Sequence, residues 1–371
     1  MKILLSTVRD KAKLTEIAIS QNEADRKIRL ARPTPAQYSS LYSAAIIEQI
    51  TPFKFNNTTY TAIARQGGLI DIYNAKSSMP LISLTENLRL GSDFMVALNV
   101  VDHFLISCSN RGLVSVYNIS KLVDEPDLEG GFFMLIEDPV EFCRPLDNPF
   151  KFVTGGYNNS LEMYDFRKDY ESHQRQTSES TFLRICRSII TIKPVFKTAN
   201  PKPNGDFPWL KNAVFVRESC EDADLTILAT TKFGKLLMYK PYFAKVPIQV
   251  FQLSPHSINH ITTLNKCKIL FMDSFNTIGI FDLAAERVVK QFNIALIGSI
   301  ASLDCVKIND FSFLVIIASL DKNLRLYRLT LPDCTLALIG ISKLSSIVPC
   351  LKLIDLEDNV RQLDFRYYDT K

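Results

Sequence analysis

Val315-Ile316-Ile317-Ala318-Ser319-Leu320-Asp321-Lys322-Asn323-Leu324-Arg325-Leu326-Tyr327 reads as an apolar strand, a tight polar turn and a second strand ending in an aromatic. Leu324-Arg325-Leu326-Tyr327 alternates with the period of two that places successive side chains on opposite faces of a sheet. Leu320-Asp321-Lys322-Asn323 supplies Asp and Asn, which tolerate the backbone of a hairpin turn. A hairpin this short cannot bury both of its faces, so it needs neighbours of its own kind.

The chain provides them. The same unit occurs at Thr61–Tyr73, Leu105–Tyr117, Phe152–Tyr164, Ile227–Tyr239 and, more weakly, Ile269–Phe281. The closing aromatics Tyr73, Tyr117, Tyr164, Tyr239, Phe281 and Tyr327 are spaced by 44, 47, 75, 42 and 46 residues. Four of these five spacings match the roughly 40–45 residues of a four-stranded propeller blade. The fifth implies an insertion of about 30 residues before Tyr239. Closing such blades into a ring protects most of their edges. Outside the six units, Met1–Ser6 and Leu14–Ala18 read as a strand pair, and Ser346–Ile354 reads as another strand. The expected fold is therefore all-β: a seven-bladed β-propeller, one blade closed by N- and C-terminal strands. A six-bladed ring with loose ends is the competing arrangement. Blades offer no natural boundary, so residues 1–371 are expected to form one domain with a loop-rich insertion at about 166–210. Within it, Asp169–Thr181 is expected to be a mobile loop, Ser188–Lys193 a strand, and Lys197–Pro208 a Pro-, Asn- and Gly-rich loop.

With 47% hydrophobic and 22% charged residues, the 371-residue chain can build a large core in a soluble protein. A net charge of +4 is too small to imply a nucleic-acid partner by itself. The eight cysteines never stand at CxxC spacing, so buried reduced thiols are expected rather than a zinc knuckle or a redox pair. The apolar start Met1–Ser6 is short for a signal peptide, and Phe311–Leu320 is short for a membrane span. A cytosolic or nuclear protein is the expectation.

Motifs of catalysis are missing: GxSxG, a P-loop, GxGxxG and HExxH are absent. His256 and His260 have metal-compatible spacing but fall where a turn and strand start are expected, so neither a metal nor another cofactor is expected. Asp165-Phe166-Arg167-Lys168 is similar to the two-arginine motif of phosphoinositide-binding propellers but lacks its second Arg and its Gly, and reads as a solvated turn. Basic residues group at Lys232, Lys235, Lys240 and Lys245, at Lys322, Arg325 and Arg328, and at Arg184, Arg187, Lys193 and Lys197. Each group could meet phosphates or simply be a solvated surface.

WD40 repeats commonly end their blades in Trp-Asp; here Tyr73-Asn74, Tyr164-Asp165, Tyr239-Lys240 and Phe281-Asp282 take that place. The chain thus resembles a degenerate WD40 protein, and more narrowly the WD40-repeat nucleolar ribosome-assembly factors of early large-subunit (pre-60S) particles. Pro139-Val140-Glu141-Phe142 is similar to the family's Pro-Val element, and Thr154–Asp165 to its Gly-Gly turn. Pro208-Trp209 with Ala213-Val214-Phe215 resembles its Pro-x-Trp strand start. Thr230–Phe233 through Met238–Pro241 is similar to its Thr-rich turn before Tyr-Asp-Pro, and Lys245-Val246-Pro247 is a degraded form of its basic-basic-Pro step. Ser319–Tyr327 is close to its Gly-Leu-Asp-Arg-x-x-Arg turn. These matches run in family order from about residue 139 to 328, while the first hundred residues match only in repeat shape. The family's lysine-rich tail is not seen in Asp364–Lys371.

The resemblance implies a non-enzymatic scaffold in the nucleolus that acts beside other pre-60S assembly factors and is released by the AAA ATPase of ribosome biogenesis. It carries no small-molecule substrate and no membrane partner, and rRNA is a further expected contact. A WD40 adaptor in membrane traffic or in a ubiquitin ligase is the alternative reading, and an enzyme a third. Because recognition on a rigid scaffold falls to loops, the expected partner-binding residues are the turn positions Arg65, Asn159, Lys232, Lys235, Asp321 and Lys322, projecting from one face.

Overall fold

The computed structural model describes residues 2–6, 14–21, 28–30, 34–35 and 45–354, the last without 75–76, 78, 87, 90, 125–130, 180–188, 200–207, 218–223, 295, 332 and 349. Tail residues Asp364–Lys371, basic residues Arg184 and Arg187, and most of the expected Lys197–Pro208 loop lie outside the described residues.

Strands β1 (Lys2–Ser6), β2 (Leu14–Gln21), β3 (Ile28–Leu30) and β4 (Thr34–Pro35) begin the chain. Six sheets then follow in chain order. The first is β5 (Ile47–Phe55), β6 (Thr58–Arg65), β7 (Leu69–Asn74) and β8 (Ile82–Thr85). The second holds β9 (Met95–Val101), β10 (Phe104–Ser109), β11 (Leu113–Asn118) and β12 (Gly131–Leu135), with helix α1 (Ile119–Asp124) after β11. The third holds β13 (Phe142–Pro145), β14 (Lys151–Gly155) and β15 (Glu162–Asp165), followed by helix α2 (Arg167–Glu179). Strand β16 (Ile189–Thr191) then runs parallel to β12 of the second sheet, and β17 (Phe196–Lys197) completes the third. The fourth is β18 (Leu210–Arg217), β19 (Leu225–Thr231), β20 (Lys235–Tyr239) and β21 (Gln249–Gln252). The fifth is β22 (Ile258–Thr263), β23 (Lys268–Asp273), β24 (Thr277–Asp282) and β25 (Arg287–Asn293). The sixth is β26 (Ile300–Asn309), β27 (Ser312–Ser319), β28 (Asn323–Thr330) and β29 (Thr335–Lys343).

The six repeat units are the second and third strands of these six sheets. In five of them the first residue pairs with the closing aromatic: Leu105 with Tyr117, Phe152 with Tyr164, Ile227 with Tyr239, Ile269 with Phe281 and Val315 with Tyr327. The sequence repeat is thus a register repeat. The terminal strands also meet: β30 (Cys350–Ile354) pairs antiparallel with β1, which pairs with β2 on its other edge.

The chain divides into two compact units. In the unit of Met1–Thr61, Tyr73–Pro80 and Thr262–Lys371, the core explains why β27 is apolar at nearly every position. Leu314, Ile316 and Ala318 pack with Ile3, Ile17 and Leu351 of the terminal strands. Phe313, Val315 and Ile317, on the opposite face, pack with Leu270, Ile278 and Ile280. A strand covered on both faces reads as a continuous apolar run, whatever its pairing.

In the unit of Ala62–Ile72 and Leu81–Ile261, Phe152 and Tyr164 pack toward the second sheet while Val153 and Met163 pack toward the fourth. Two helices stand where loops were expected or none was foreseen. The loop expected at Asp169–Thr181 is helix α2 over all its described residues. Its first free amide, that of Arg167, is taken by the Asp165 carboxylate at 3.2 Å. The segment carries neither Gly nor Pro. Buried Tyr170 seats it among Phe104, Phe132 and Phe150, each with ring centroids 5.5 Å away. His173 adds a ring contact with Phe132 at 5.3 Å and Arg167 lies over Phe150 at 5.1 Å, so these contacts outweigh the polarity of the segment. In α1, the Asn118 side chain accepts from the amide of Ser120 at 3.0 Å, a local cap on a short helix that buries Ile119 and Leu122.

Candidate functional site

The link between the second and third strands is a hairpin turn in each of the six sheets from β5 to β29, and the six expected site residues lie at or beside four of these turns. Their environments separate them into two groups.

Arg65, at the end of β6, is buried. Its Nε donates to Asp71 Oδ2 at 2.9 Å, and the two side chains are only 2% and 1% exposed. Ser83 Oγ donates to the other oxygen of Asp71 at 2.7 Å. Asp321 is similarly enclosed. Arg325 reaches both of its oxygens, at 3.1 and 2.6 Å, and Ser319 Oγ and the Asn323 amide donate at 2.5 and 3.0 Å. Burial alone pushes this carboxyl upward, but the hydrogen bonds from Arg325, Ser319 and Asn323 overcome it and hold it well below the usual carboxylate range. Asn159 is 7% exposed, and its Nδ2 donates to the carbonyl of Pro139 at 3.0 Å. Arg65 and Asp321 are thus bonded within their own hairpins, whereas Asn159 ties its turn to the link that carries Pro139. A charge at a strand end reads as exposed in the sequence, but β6 is buried along most of its length and Arg65 is enclosed with it.

Lys232, Lys235 and Lys322 are exposed. Lys322 takes a left-handed φ of 62°, and its amide donates to Ser319 O at 3.0 Å. Lys232 lies in the turn between β19 and β20. Its amide donates to the carbonyl of Trp209 at 2.9 Å, and its Nζ rests 3.5 Å from the centre of the indole ring. That is a close cation–π contact. The turn is closed by Gly234 at φ 71°, where a Cβ would stand 1.8 Å from the carbonyl oxygen of Ser254. At the Gly-Gly turn, Gly155 and Gly156 have no left-handed φ. Their constraint is close approach: a Cβ on Gly155 would meet Leu210 at 2.9 Å and Phe142 at 3.0 Å.

Sequence reasoning missed the residues that gather around Lys232. The ring of Trp209 meets Tyr157 edge-on at 4.6 Å. Its Nε1 donates to Glu141 Oε1 at 2.5 Å, and Lys211 Nζ donates to Oε2 of the same carboxylate at 2.5 Å. Phe233 follows Lys232 in the turn and is 63% exposed. The available signal was an aromatic inside each of two polar turns, Tyr157 and Phe233, where no core can receive it.

Of the remaining basic residues, Lys193 and Lys245 are exposed. Lys197 is engaged by the buried carboxylate of Glu162 at 2.6 Å and by Asp138 at 3.6 Å.

No family model matches the chain. A curated relative, the ribosome biogenesis protein nsa1 of Schizosaccharomyces pombe, is 23% identical over 286 residues, covering 71% of this chain and 68% of that protein. Among solved structures, the C-terminal WD40 domain of Sif2 aligns with a TM-score of 0.55 at 13% identity, covering 92% of this chain and 84% of that one. The computationally designed Ika8 protein aligns with a TM-score of 0.55 at 11% identity, covering 95% and 91%. The chain has the WD40-type β-propeller fold, and its resemblance to the WD40 ribosome-assembly factors is matched by a curated ribosome-biogenesis relative.

Proposed function

We propose that this protein is a non-enzymatic scaffold in the nucleolar assembly of the large ribosomal subunit. It binds other assembly factors and rRNA within pre-60S particles and is released from them by the AAA ATPase of ribosome biogenesis. The observation that carries this reading is the similarity to the ribosome biogenesis protein nsa1 over 71% of the chain. The turns support it: their buried ion pairs make a stiff frame, and Lys232, Lys235 and Lys322 stand free of that frame to meet a partner. We further propose that the chain is a single domain in which the terminal sheet serves as the seventh blade, as the packing of Ile3, Ile17 and Leu351 against β27 suggests.

Affinity purification of the tagged chain followed by mass spectrometry tests the role. Large-subunit assembly factors and precursor rRNA are expected, and they should accumulate with the chain when the ATPase is blocked. Recovery of vesicle-coat or ubiquitin-ligase subunits instead would sink the proposal in favour of an adaptor. Combining Lys232→Glu, Lys235→Glu and Lys322→Glu should leave the fold intact and sharply reduce association with the precursors. Deleting residues 1–18 should yield aggregation or protease sensitivity; a soluble, cooperatively folding product would remove the terminal blade.

A further inference from the structure

Within the second unit, two large rings are left in water beside the exposed Lys232 and Lys235. Tyr157 is 67% exposed and Phe233 63% exposed, each in the hairpin turn of its own blade. Neither ring is needed for the core, which Phe142, Phe152 and Tyr164 already fill. Trp209 joins the two turns, edge-on to Tyr157 at 4.6 Å and beneath Lys232 Nζ at 3.5 Å. We infer that Tyr157, Trp209 and Phe233, together with Lys232 and Lys235, form a binding site for single-stranded RNA, with bases stacked on the rings and phosphates met by the two ammonium groups. The inference rests on the reading of the chain as a ribosome-assembly scaffold and adds to it the surface and the ligand's chemistry.

Charge points to an anionic occupant. The carboxylate in this group, Glu141, is already committed to the indole N–H and to Lys211. Lys232 rests on a ring face rather than on a carboxylate, so exchanging that contact for a phosphate leaves no acid orphaned. Lys235 stands exposed on the strand that follows the turn. The shape of the site favours nucleic acid over an acidic peptide. Peptide anchors are received by pockets, whereas Tyr157 and Phe233 project from turns and offer exposed π-faces of the kind that stack bases of any sequence, and the face of Trp209 is opened when Lys232 moves to a phosphate. The site is also held in advance. Glu141 fixes the plane of Trp209, the Lys232 amide is bonded to the Trp209 carbonyl, and the Leu210 amide is bonded to Gly156 O at 3.1 Å. Less conformational freedom is therefore lost on binding.

Because the chain contains one tryptophan, its intrinsic fluorescence reports on the site itself. The purified full chain should be titrated with a single-stranded oligouridylate of about 12 nucleotides, and in parallel with a peptide of alternating Glu and Phe. Saturable quenching by the oligonucleotide is expected. Its affinity should fall with salt at a logarithmic slope of about −1.4, as two phosphate contacts require. Tyr157→Ala and Phe233→Ala should each weaken binding by about 5- to 150-fold; Phe233→Ala should leave the melting temperature unchanged, and Tyr157→Ala should lower it only slightly through the lost edge contact with Trp209. Lys232→Ala with Lys235→Ala should flatten the salt slope. The inference is overturned by absent quenching, by affinity that survives both aromatic replacements, or by quenching from the peptide alone, which would mark a protein-docking surface. Naked RNA and purified protein keep this test apart from precursor association: a chain that fails here but still co-purifies with precursors keeps its scaffold role and loses only this site.

Discussion

The turn at Leu320–Lys322 and the turn at Lys232–Gly234 occupy the same place in their blades and spend their polar residues in opposite ways. In the first, an acid is gripped by Arg325, Ser319 and a backbone amide, and the charge is turned inward. In the second, Gly234 lets the backbone close against Ser254, and the lysines and Phe233 are turned outward. Arg65 and Asp71 belong with the first kind, more deeply buried still. The two kinds of turn look alike as strings of Asp, Lys, Arg and Gly. What separates them is whether opposite charges bracket the turn, as Arg65 and Asp71 do, or Asp321 and Arg325. A bracketing pair contributes to the frame even where a neighbouring cation such as Lys322 stays exposed, whereas the unbracketed turn leaves Lys232 and Lys235 exposed.

The sharpest way to break this contrast is Arg65→Ala. It leaves the Asp71 carboxylate buried and opposite no guanidinium, a change that typically costs about 3–5 kcal/mol. Denaturant unfolding should record a lower midpoint. A loss below about 1 kcal/mol would mean that the pair behaves like an exposed one and that the inward-facing class is wrongly drawn. Asp321→Asn comes next, at about 1–3 kcal/mol, since Arg325 then loses its charged acceptor. This effect should depend on pH. The folded-state carboxyl of Asp321 titrates below its ordinary value, so its contribution is complete above about pH 5 and is lost as the pH falls through the depressed value. Wild type and Asp321→Asn should therefore converge in stability on acidification and differ by a constant amount at neutral pH.

A third comparison concerns the backbone of the outward-facing turn. Gly234→Ala should cost about 1–3 kcal/mol, because Ala must adopt a left-handed φ and its Cβ meets the Ser254 carbonyl. Such a loss would show that the turn is rigid even though its side chains are free, as pre-organised recognition requires. An unchanged melting temperature would show a turn that can be remade.

The hairpins were legible because each repeat unit carries its own register, from first residue to closing aromatic. The meeting of the terminal strands was legible from two short apolar runs at opposite ends. Helix α2 was not, since its hold comes from contacts distant in sequence, above all Tyr170 seated on phenylalanines that lie 20 to 66 positions away. Strand β16 was visible as a strand, but its parallel pairing with the previous sheet was not, because nothing local in Ile189–Thr191 names its partner. At the site, Lys232 and Lys235 could be read, whereas Glu141, Trp209 and Tyr157 could not be joined to them. Glu141 and Trp209 are 68 residues apart and meet only through the pairing of adjacent blades.

The smallest expected effect tests the two lysines against each other. Lys232 lies on the indole ring and Lys235 does not. A cation–π contact at an exposed position is worth about 0.5–1 kcal/mol, while an exposed lysine with no such contact changes stability by no more than about 0.5 kcal/mol when truncated. Lys232→Ala should therefore lower stability slightly more than Lys235→Ala, and the difference should vanish in a Trp209→Leu background, where the ring is absent. Lys232→Arg should preserve it, since a guanidinium also lies well over an aromatic face. If the two alanine variants are equally stable with Trp209 in place, Lys232 gains nothing from the ring. Its position over Trp209 would then not mark the step from the structural to the recognition surface.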